Sequence, residues 1–242
     1  MTGKSGLAKQ HKIQATAELL TKSTHFTVDE CKNLLLFHER MLVIGPLDRL
    51  RFREILHVTF CITDDVMLDL VYHAFDRDSD GVINPSEWVI GLSVMLRGDI
   101  QQLIDFVYFV YDMNGDRSLA REELTHCLKG CIYMGYGIDN DELDECERDI
   151  IEIAMRKLDV DKDSQITETD FQNACYEDPL LLQACGPCLP PDRSTAAFLA
   201  LITDKYRNFT QCYHRHWVGG DQKGKPTQKK RSENLFETAV DI

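Results

Sequence analysis

The sequence predicts an all-α fold made of four helix-loop-helix units. Loops of similar length recur along the chain, and their first residues are Arg40, Asp76, Asp112 and Asp159. The eighth residue of each loop is aliphatic: Leu47, Ile83, Leu119 and Ile166. Apolar residues with helical spacing precede the loops, as in the segment from Met67 to Phe75. A repeat of this size is typical of stacked two-helix units.

When the units are numbered as hands 1 to 4, loop 2 runs from Asp76 to Glu87. Its sequence, D-R-D-S-D-G-V-I-N-P-S-E, fits the EF-hand calcium loop at every position. This spacing wraps oxygen atoms around one point, and calcium prefers about six to eight oxygen ligands. Gly81 at the sixth position permits the sharp turn. The predicted ligands are the side chains of Asp76, Asp78, Asp80 and Glu87, the carbonyl of Val82, and Asn84 through a water.

Loop 3, from Asp112 to Glu123, differs from the same pattern at two positions. Arg117 stands where glycine is expected, and a side chain at a positive φ angle costs on the order of 1 kcal/mol. Ala120 removes the side-chain oxygen of the ninth position and leaves a water there. We therefore expect weaker calcium binding than at loop 2. The predicted ligands are Asp112, Asn114, Asp116, Ser118 and Glu123.

Loop 4, from Asp159 to Asp170, ends in aspartate rather than glutamate. The side chain of Asp170 has one fewer methylene, which shortens its reach and disfavours bidentate closure. That change favours the smaller, octahedral Mg2+ over Ca2+. The predicted ligands are Asp159, Asp161, Asp163, Gln165 and Asp170. Ca2+ is thus the predicted ion of loops 2 to 4, with Mg2+ as an alternative that applies mainly to loop 4.

Loop 1 lacks the residues for metal binding. Its oxygen positions hold Arg40, Leu42 and Ile44. Arg51 replaces the closing glutamate, and its positive charge repels a calcium ion. The irregular position of Phe37 before Arg40 predicts a loop longer than the usual one. We interpret hand 1 as a structural unit that braces hand 2.

The expected organisation is two lobes of paired hands, followed by a C-terminal helix and a flexible tail. The predicted parts are an N-terminal lobe at 1–98 with an N-terminal helix and hands 1 and 2, a C-terminal lobe at 99–190 with hands 3 and 4, a helix at 191–209, and a disordered polar tail at 210–242. The acidic run from Asp139 to Glu147 is interpreted as a solvated helix face. In the tail, the basic cluster from Lys229 to Arg231 suits contact with an acidic surface such as a microtubule, although a solvating role is favoured.

Charge and hydropathy exclude several classes of partner. The chain has 242 residues and a formal net charge of -13, so we expect no nucleic-acid partner. No apolar stretch approaches the length of a membrane span, so we expect no membrane partner. The nine cysteines lack disulfide-framework spacing, and no signal peptide is recognisable, which together predict a reducing, cytoplasmic location.

Cys185-Gly186-Pro187-Cys188 has the sequence of a thioredoxin active site. Catalytic thiols of that type follow a strand and begin a helix, which lowers the pKa of the first thiol. Here a predicted helical segment, Leu180 to Ala184, precedes the motif, and Leu189 is followed by two prolines. We therefore do not expect an enzyme, and a thiol oxidoreductase is a disfavoured alternative to a structural turn.

Several segments resemble a known family. They are I-L-H-V-T-F at Ile55 to Phe60, G-L-S-V-M-L-R-G at Gly91 to Gly98, D-M-N-G-D at Asp112 to Asp116 and G-P-C-L-P at Gly186 to Pro190. These segments are similar to the calaxin family, EF-hand sensors of the neuronal-calcium-sensor type in motile cilia and flagella. The resemblance extends from about Phe26 to Phe209. The chain departs from the family pattern at Arg117, at Asp170 and in the long tail after Thr210.

This resemblance implies two lobes, a disabled hand 1 and calcium at the ligands of loops 2 to 4 named above. It also implies residence in the outer dynein arm docking complex on axonemal doublet microtubules. The implied partners are the coiled-coil proteins of that complex, dynein heavy chain and tubulin. The implied function is a calcium sensor and adaptor that regulates dynein-driven motility, and composition alone does not indicate it.

Three other functions are alternatives: a general cytosolic sensor of the neuronal type, a phosphatase regulatory subunit and a passive calcium buffer. Thr2 disfavours the first two, because their myristoylated members need glycine at that position. Three unequal loops favour a graded sensor over a buffer, and a sensor must expose an apolar groove. Trp88, Leu92 and Met95 lie on one face of a predicted helix that could line such a groove, although Trp88 is better explained as core.

Overall fold

The computed structural model describes residues 3–128, 140–163 and 165–203, with side chains from residue 7 and, in the second range, from residue 145. These residues belong to one compact unit. The helices of these ranges are α1 (Gly3–Leu20), α2 (Val28–Leu42), α3 (Arg49–Phe60), α4 (Asp65–Phe75), α5 (Pro85–Arg97), α6 (Ile100–Tyr111), α7 (Arg121–Leu128), α8 (Asn140–Leu158), α9 (Glu168–Glu177) and α10 (Asp192–Ile202), with a short 3-10 helix at Pro179–Gln183. Two-residue strands, β1 (Ser118–Leu119) and β2 (Ile166–Thr167), complete the set. The predicted all-α array of helix-loop-helix units is confirmed.

Each hand consists of two consecutive helices, from α2–α3 for hand 1 to α8–α9 for hand 4. The aliphatic eighth residues of all four loops are fully buried. The first residues after the loops are also fully buried: Phe52, Trp88, Leu124 and Phe171. Burying such large side chains fixes the start of every exit helix against the core, since each contributes on the order of 1.5–3 kcal/mol.

The helices that follow loops 2 and 4 begin with capping boxes. At α5, the Asn84 side chain accepts from the Glu87 amide, and Glu87 accepts from the Asn84 amide. At α9, Thr167 and Asp170 make the same reciprocal pair. The box satisfies amides that the first helical turn leaves without partners. The acidic residue of each box is the one that closes the loop, so loop closure and helix start depend on the same side chain.

The hands pair through their loops, but the two pairs differ. In hands 3 and 4, β1 and β2 are antiparallel, with Leu119 opposite Ile166. In hands 1 and 2, the Ile83 amide donates to the Leu47 carbonyl at 2.9 Å. The Ile83 carbonyl accepts instead from Nε2 of the buried His38, at 2.8 Å. A side chain of α2 thus takes the place of a ribbon amide in the first pair.

Helix α10 packs against hand 1, which the sequence did not indicate. The ring of Phe198 lies 5.2 Å from that of Phe60 and 6.3 Å from that of Phe37. The Asn33 side chain donates to the carbonyl of Ile202, the last residue of α10, at 2.7 Å. Phe37 in turn stacks on Trp88 at 6.3 Å, so α10 covers an aromatic cluster shared by hands 1 and 2.

The expectation that loop 1 is longer than usual is wrong. Helix α2 continues to Leu42 and α3 begins at Arg49, so residues 43–48 alone separate the two helices. In loop 2, by contrast, residues 76–84 separate α4 from α5. The difference has a physical cause, because Arg40 and Leu42 supply no carboxylate that would bond to amides of the loop and draw the chain out of the helix.

Some expectations fall outside the described residues. They are the C-terminal helix beyond residue 203, the polar tail at 210–242, and the start of the acidic run before α8. The lobe boundaries also stay predictions. Among the helices that the structure describes, none combines the length and apolar character needed to cross a membrane.

Candidate metal centres

Loop 2 brings three carboxylates together directly after α4. Asp76, Asp78 and Asp80 each offer a carboxylate oxygen, and these oxygens lie within 4.8 Å of one another. Asp76 accepts from the Gly81 amide at 3.0 Å, and Gly81 has the positive φ of 84° that the turn requires. Like charges this close repel one another, so the arrangement favours binding of a cation.

Glu87 closes loop 2 from the first turn of α5. Its buried carboxylate accepts from the amides of Arg77 at 3.0 Å and Asp78 at 3.3 Å with one oxygen, and from the Asn84 amide at 2.9 Å with the other. The carboxylate therefore spans both ends of the loop. The Asn84 oxygen accepts from the amides of Ser86 and Glu87, both at 3.0 Å, which suits contact with a metal through water.

Loop 3 has the same closure with a different ligand set. Glu123 accepts from the amides of Met113 at 3.1 Å, Asn114 at 3.2 Å and Ala120 at 2.9 Å. Arg117 has a φ of 65°, the conformation predicted from its position in place of glycine. The side-chain Nδ2 of Asn114 donates to the Asp116 carboxylate at 2.9 Å. Because asparagine is neutral, one of the three alternating side chains carries no charge. Loop 3 thus gathers less negative charge than loop 2.

Loop 4 also clusters three carboxylates, from Asp159, Asp161 and Asp163, within 4.8 Å of one another. The hydrogen bond from the Asp163 amide lowers the pKa of the Asp161 carboxyl, but desolvation and the charges of Asp163, Asp170 and Asp159 outweigh it. The pKa of Asp161 is therefore raised above its ordinary value. A bound cation would offset this repulsion.

The closing residue of loop 4 has a shorter reach. The buried Asp170 accepts from the amide of Thr167 at 3.1 Å and from the Thr167 hydroxyl. In loop 2, Glu87 accepts hydrogen bonds from the amides of the second and third loop residues. Within the described chain, Asp170 makes no hydrogen bond to the corresponding residues of loop 4, 160 and 161. Aspartate is one methylene shorter than glutamate, so its carboxylate reaches Thr167 at one end of the loop and not the residues at the other end.

In loop 1, a side chain takes the place of a metal ion. The guanidinium of Arg51 donates to the carbonyls of Met41 at 2.9 Å, Pro46 at 3.1 Å and Gly45. These carbonyls belong to the segment that would wrap a cation in an intact hand. The sequence prediction that Arg51 repels calcium omitted this role, although a basic residue at the closing position of a loop without acids was the available signal.

The Cys-Gly-Pro-Cys segment is part of the core. Cys185 and Cys188 are both fully buried, and the Tyr111 hydroxyl donates to the Gly186 carbonyl at 2.7 Å. Burial raises the pKa of the Cys185 thiol well above its ordinary value. A buried, protonated thiol is a poor nucleophile, so the geometry favours the structural interpretation of this turn.

Comparison with known proteins places the chain in a family. It is 39% identical to calaxin of Bos taurus over 209 residues, which cover 83% of this chain and 98% of that protein. It is 39% identical to calaxin of Homo sapiens over 199 residues, which cover 79% of this chain and 93% of that protein. The chain belongs to the calaxin family. No family profile matches this calaxin-family protein.

A further relative carries a description of its ligand. This calaxin-family protein is 31% identical to the calcium-binding protein NCSA of Dictyostelium discoideum over 112 residues, covering 46% of this chain and 60% of that protein. The clustered carboxylates of loops 2 and 4 agree with that description. The relatives and the acidic loops together support a calcium-binding EF-hand sensor.

Proposed function

We propose that this calaxin-family protein is a calcium sensor and adaptor of motile cilia and flagella, located in the axoneme. It acts in the outer dynein arm docking complex and regulates dynein-driven motility. The observation that carries the proposal is the similarity to bovine calaxin over 98% of that protein, in a chain that keeps acidic loops at hands 2 to 4. The proposed partners are coiled-coil proteins of the docking complex, dynein heavy chain and tubulin.

The metal ligands are proposed as the residues predicted above, with Ca2+ at loops 2 and 3 and competition from Mg2+ at loop 4. A bound Ca2+ draws its oxygen ligands to about 2.3–2.6 Å. Glu87 is the link to the rest of the molecule, because it begins α5 and precedes Trp88. Trp88 stacks on Phe37, and Phe37 contacts Phe198 of α10. A shift of Glu87 therefore acts on the cluster that α10 covers.

A second observation supports movement of this cluster. The indole N–H of Trp88 is fully buried and has no hydrogen-bond acceptor within the described chain. An unsatisfied buried donor costs about 1–3 kcal/mol. A rearrangement that brings this N–H to an acceptor, in the chain or in a partner, recovers part of that free energy. We therefore expect the Trp88 N–H to favour an arrangement in which it meets an acceptor.

The experiment that tests the proposal is a pull-down from ciliary extract with the tagged full chain, in excess calcium and in EGTA. We expect docking-complex proteins in both conditions and more dynein heavy chain in calcium. The matched control is Glu87→Gln, which should reduce the calcium-dependent part alone. Recovery of neither dynein nor docking-complex proteins in either condition would refute the axonemal function.

One alternative has an observation in its favour. NCSA of Dictyostelium discoideum is described as a calcium-binding protein and nothing more, and that description agrees equally with a general cytosolic sensor that has no axonemal role. That alternative predicts a diffuse distribution of the tagged protein in ciliated cells, whereas the axonemal proposal predicts staining along the axoneme that survives detergent extraction.

A further inference from the structure

One peptide group joins hand 1 to the closing carboxylate of loop 2. The carbonyl of Ile83, the eighth residue of loop 2, accepts a hydrogen bond from Nε2 of His38 on α2 at 2.8 Å. The amide N–H of the same peptide group belongs to Asn84, and it donates to Glu87 at 2.9 Å. Because hydrogen bonds at the two ends of one peptide group strengthen each other, His38 supports the bond that holds Glu87.

The pair of hands 3 and 4 repeats this arrangement. The hydroxyl of Tyr108 on α6 donates to the carbonyl of Ile166, the eighth residue of loop 4, at 3.4 Å. The N–H of the same peptide group belongs to Thr167, and it donates to Asp170 at 3.1 Å. In each pair, therefore, the first helix of the odd-numbered hand donates to the peptide group that bonds to the closing carboxylate of the next loop.

An aromatic contact adds a second connection at the same place in both pairs. Phe37 of α2 stacks on Trp88, the residue directly after the closing carboxylate of loop 2, with ring centroids 6.3 Å apart. The ring of Tyr108 lies 5.6 Å from that of Phe171, the residue directly after the closing carboxylate of loop 4. Each odd-numbered hand thus contacts the residues on both sides of the closing carboxylate, which limits the movement of that side chain.

The burial of His38 indicates what this histidine contributes. The residue is 1% exposed, and its Nε2 carries the proton because a carbonyl oxygen can only accept. Its other ring nitrogen, Nδ1, has no hydrogen-bond partner within the described chain. A buried nitrogen without a partner costs free energy that an aliphatic side chain would not cost. The hydrogen bond to Ile83 is the gain that offsets this cost.

We propose that His38 and Tyr108 are positioning residues for calcium binding, each of which holds the closing carboxylate of the next loop where it meets the ion. Removing a group that hydrogen-bonds to a metal ligand weakens metal binding by about 10–100-fold. Here the effect passes through one peptide group, so we expect a smaller change. Hand 1, which lacks the ligand residues, thereby sets the affinity of loop 2. The inference deepens the proposed function and rests on calcium binding at loops 2 and 4.

The test measures calcium binding by calorimetry in the full chain, with loops 3 and 4 disabled by Asp112→Ala and Asp159→Ala so that loop 2 is read alone. His38→Leu removes the donor at similar volume and should weaken calcium binding by about fivefold or more. His38→Gln, whose side-chain amide can donate to the same carbonyl, should recover most of the affinity. His57→Leu is the matched control, because His57 also bonds to a carbonyl, that of Ile62 at 3.0 Å, outside the metal loops. It should leave the affinity unchanged.

Tyr108→Phe is the corresponding change in the second pair, with loops 2 and 3 disabled by Asp76→Ala and Asp112→Ala. The variant keeps the ring and loses only the hydroxyl. Since this hydrogen bond is longer than that of His38, we expect calcium binding at loop 4 to weaken by about twofold. Tyr111→Phe is the matched control on the same helix, because its hydroxyl donates to the Gly186 carbonyl, outside the loops. It should leave the affinity of loop 4 unchanged.

The inference is overturned if loop 2 binds calcium equally well in His38→Leu and in the chain that keeps His38. It is also overturned if His57→Leu weakens binding by the same factor, or if His38→Gln recovers none of the affinity, since the loss would then come from packing. If loop 2 binds no calcium even with His38 in place, the metal ligands assigned under the proposed function are wrong as well. Failure of this inference alone therefore differs from failure of the proposed function.

Discussion

The closing carboxylate sets the difference between loops 2 and 4. Glu87 accepts hydrogen bonds from both ends of its loop, whereas Asp170 bonds only to Thr167 within the described chain. A hydrogen bond to a charged group contributes about 1.5–3 kcal/mol. We therefore expect Asp170→Glu to tighten calcium binding at loop 4 by about tenfold or more. Isothermal calorimetry with Ca2+ and with Mg2+ measures this change.

The preference of loop 4 between Ca2+ and Mg2+ provides the control for the Asp170→Glu experiment. If the shorter side chain favours octahedral coordination, Asp170→Glu should raise the ratio of calcium to magnesium affinity. Asp170→Asn, which removes the charge and keeps the length, should weaken both ions. An unchanged ratio in Asp170→Glu would show that reach is not what distinguishes this loop.

His38 makes the stability of the metal-free protein sensitive to pH. Burial lowers the pKa of its imidazole below 6.5, against smaller opposing effects of the Ile83 carbonyl and Glu39. The unfolded chain then takes up a proton more readily than the folded one. Stability from this group is fully present above about pH 6.5 and falls as the pH drops below it, by at most about 1.4 kcal/mol per pH unit.

Urea unfolding in EDTA between pH 7.5 and 5.5 tests this effect. His38→Gln keeps a donor for the Ile83 carbonyl but does not titrate, so the variant should lose less stability on acidification than the unaltered chain. His73→Gln, at an exposed position of α4, is the control and should follow the unaltered chain. Parallel curves for all three proteins would contradict the assignment to His38.

At the scale of secondary-structure elements, helix α10 packs over the aromatic cluster that hands 1 and 2 share. Phe198 is buried between Phe37 and Phe60, so Phe198→Ala removes a large part of the contact. We expect a loss of about 3 kcal/mol in the free energy of unfolding. Faster hydrogen exchange should appear in α10 and in α2. Phe109→Ala, at an exposed ring of α6, should change stability by less than about 0.5 kcal/mol.

The elements also show why sequence predicts some features and not others. The ligand pattern of loop 2 lies within twelve consecutive residues, so spacing alone predicted that its carboxylates meet. The contact between Phe37 and Phe198 joins residues far apart in the chain, and helical periodicity predicts a buried face without its partner. The basic residue at the closing position of loop 1 was a signal for the role of Arg51, but the carbonyl groups that accept its hydrogen bonds have no signature in the sequence.

Hand 1 shows how the residues of a loop set where its flanking helices end. The absence of acids predicts that loop 1 binds no metal, and this stays a prediction, whereas the prediction of a longer loop was wrong. Without carboxylates that bond to the amides of the loop, α2 continues to Leu42 before the chain turns. A ligand pattern therefore constrains backbone geometry even before a metal binds.

At the scale of the whole molecule, the sensor hypothesis requires calcium to change the exposed apolar surface. Glu87 joins loop 2 to α5, and the far end of α5 is tied to α2 by Arg97, which pairs with Glu30 at 2.7 Å. Movement of α5 is therefore passed to α2, and α2 carries Phe37, which contacts Phe198 of α10. We expect calcium to increase the fluorescence of a hydrophobic dye relative to EGTA, since the aromatic cluster under α10 becomes accessible.

Glu87→Gln separates a switch from a buffer. The variant keeps the length of the side chain but loses its charge, so calorimetry should show at least one calcium site fewer. If loop 2 drives the movement, the dye signal of Glu87→Gln in calcium should fall to near the level in EGTA, while Asp170→Asn should reduce it less. Equal dye signals with and without calcium in the unaltered chain would mean that the loops bind calcium without moving α10, which is how a passive buffer behaves.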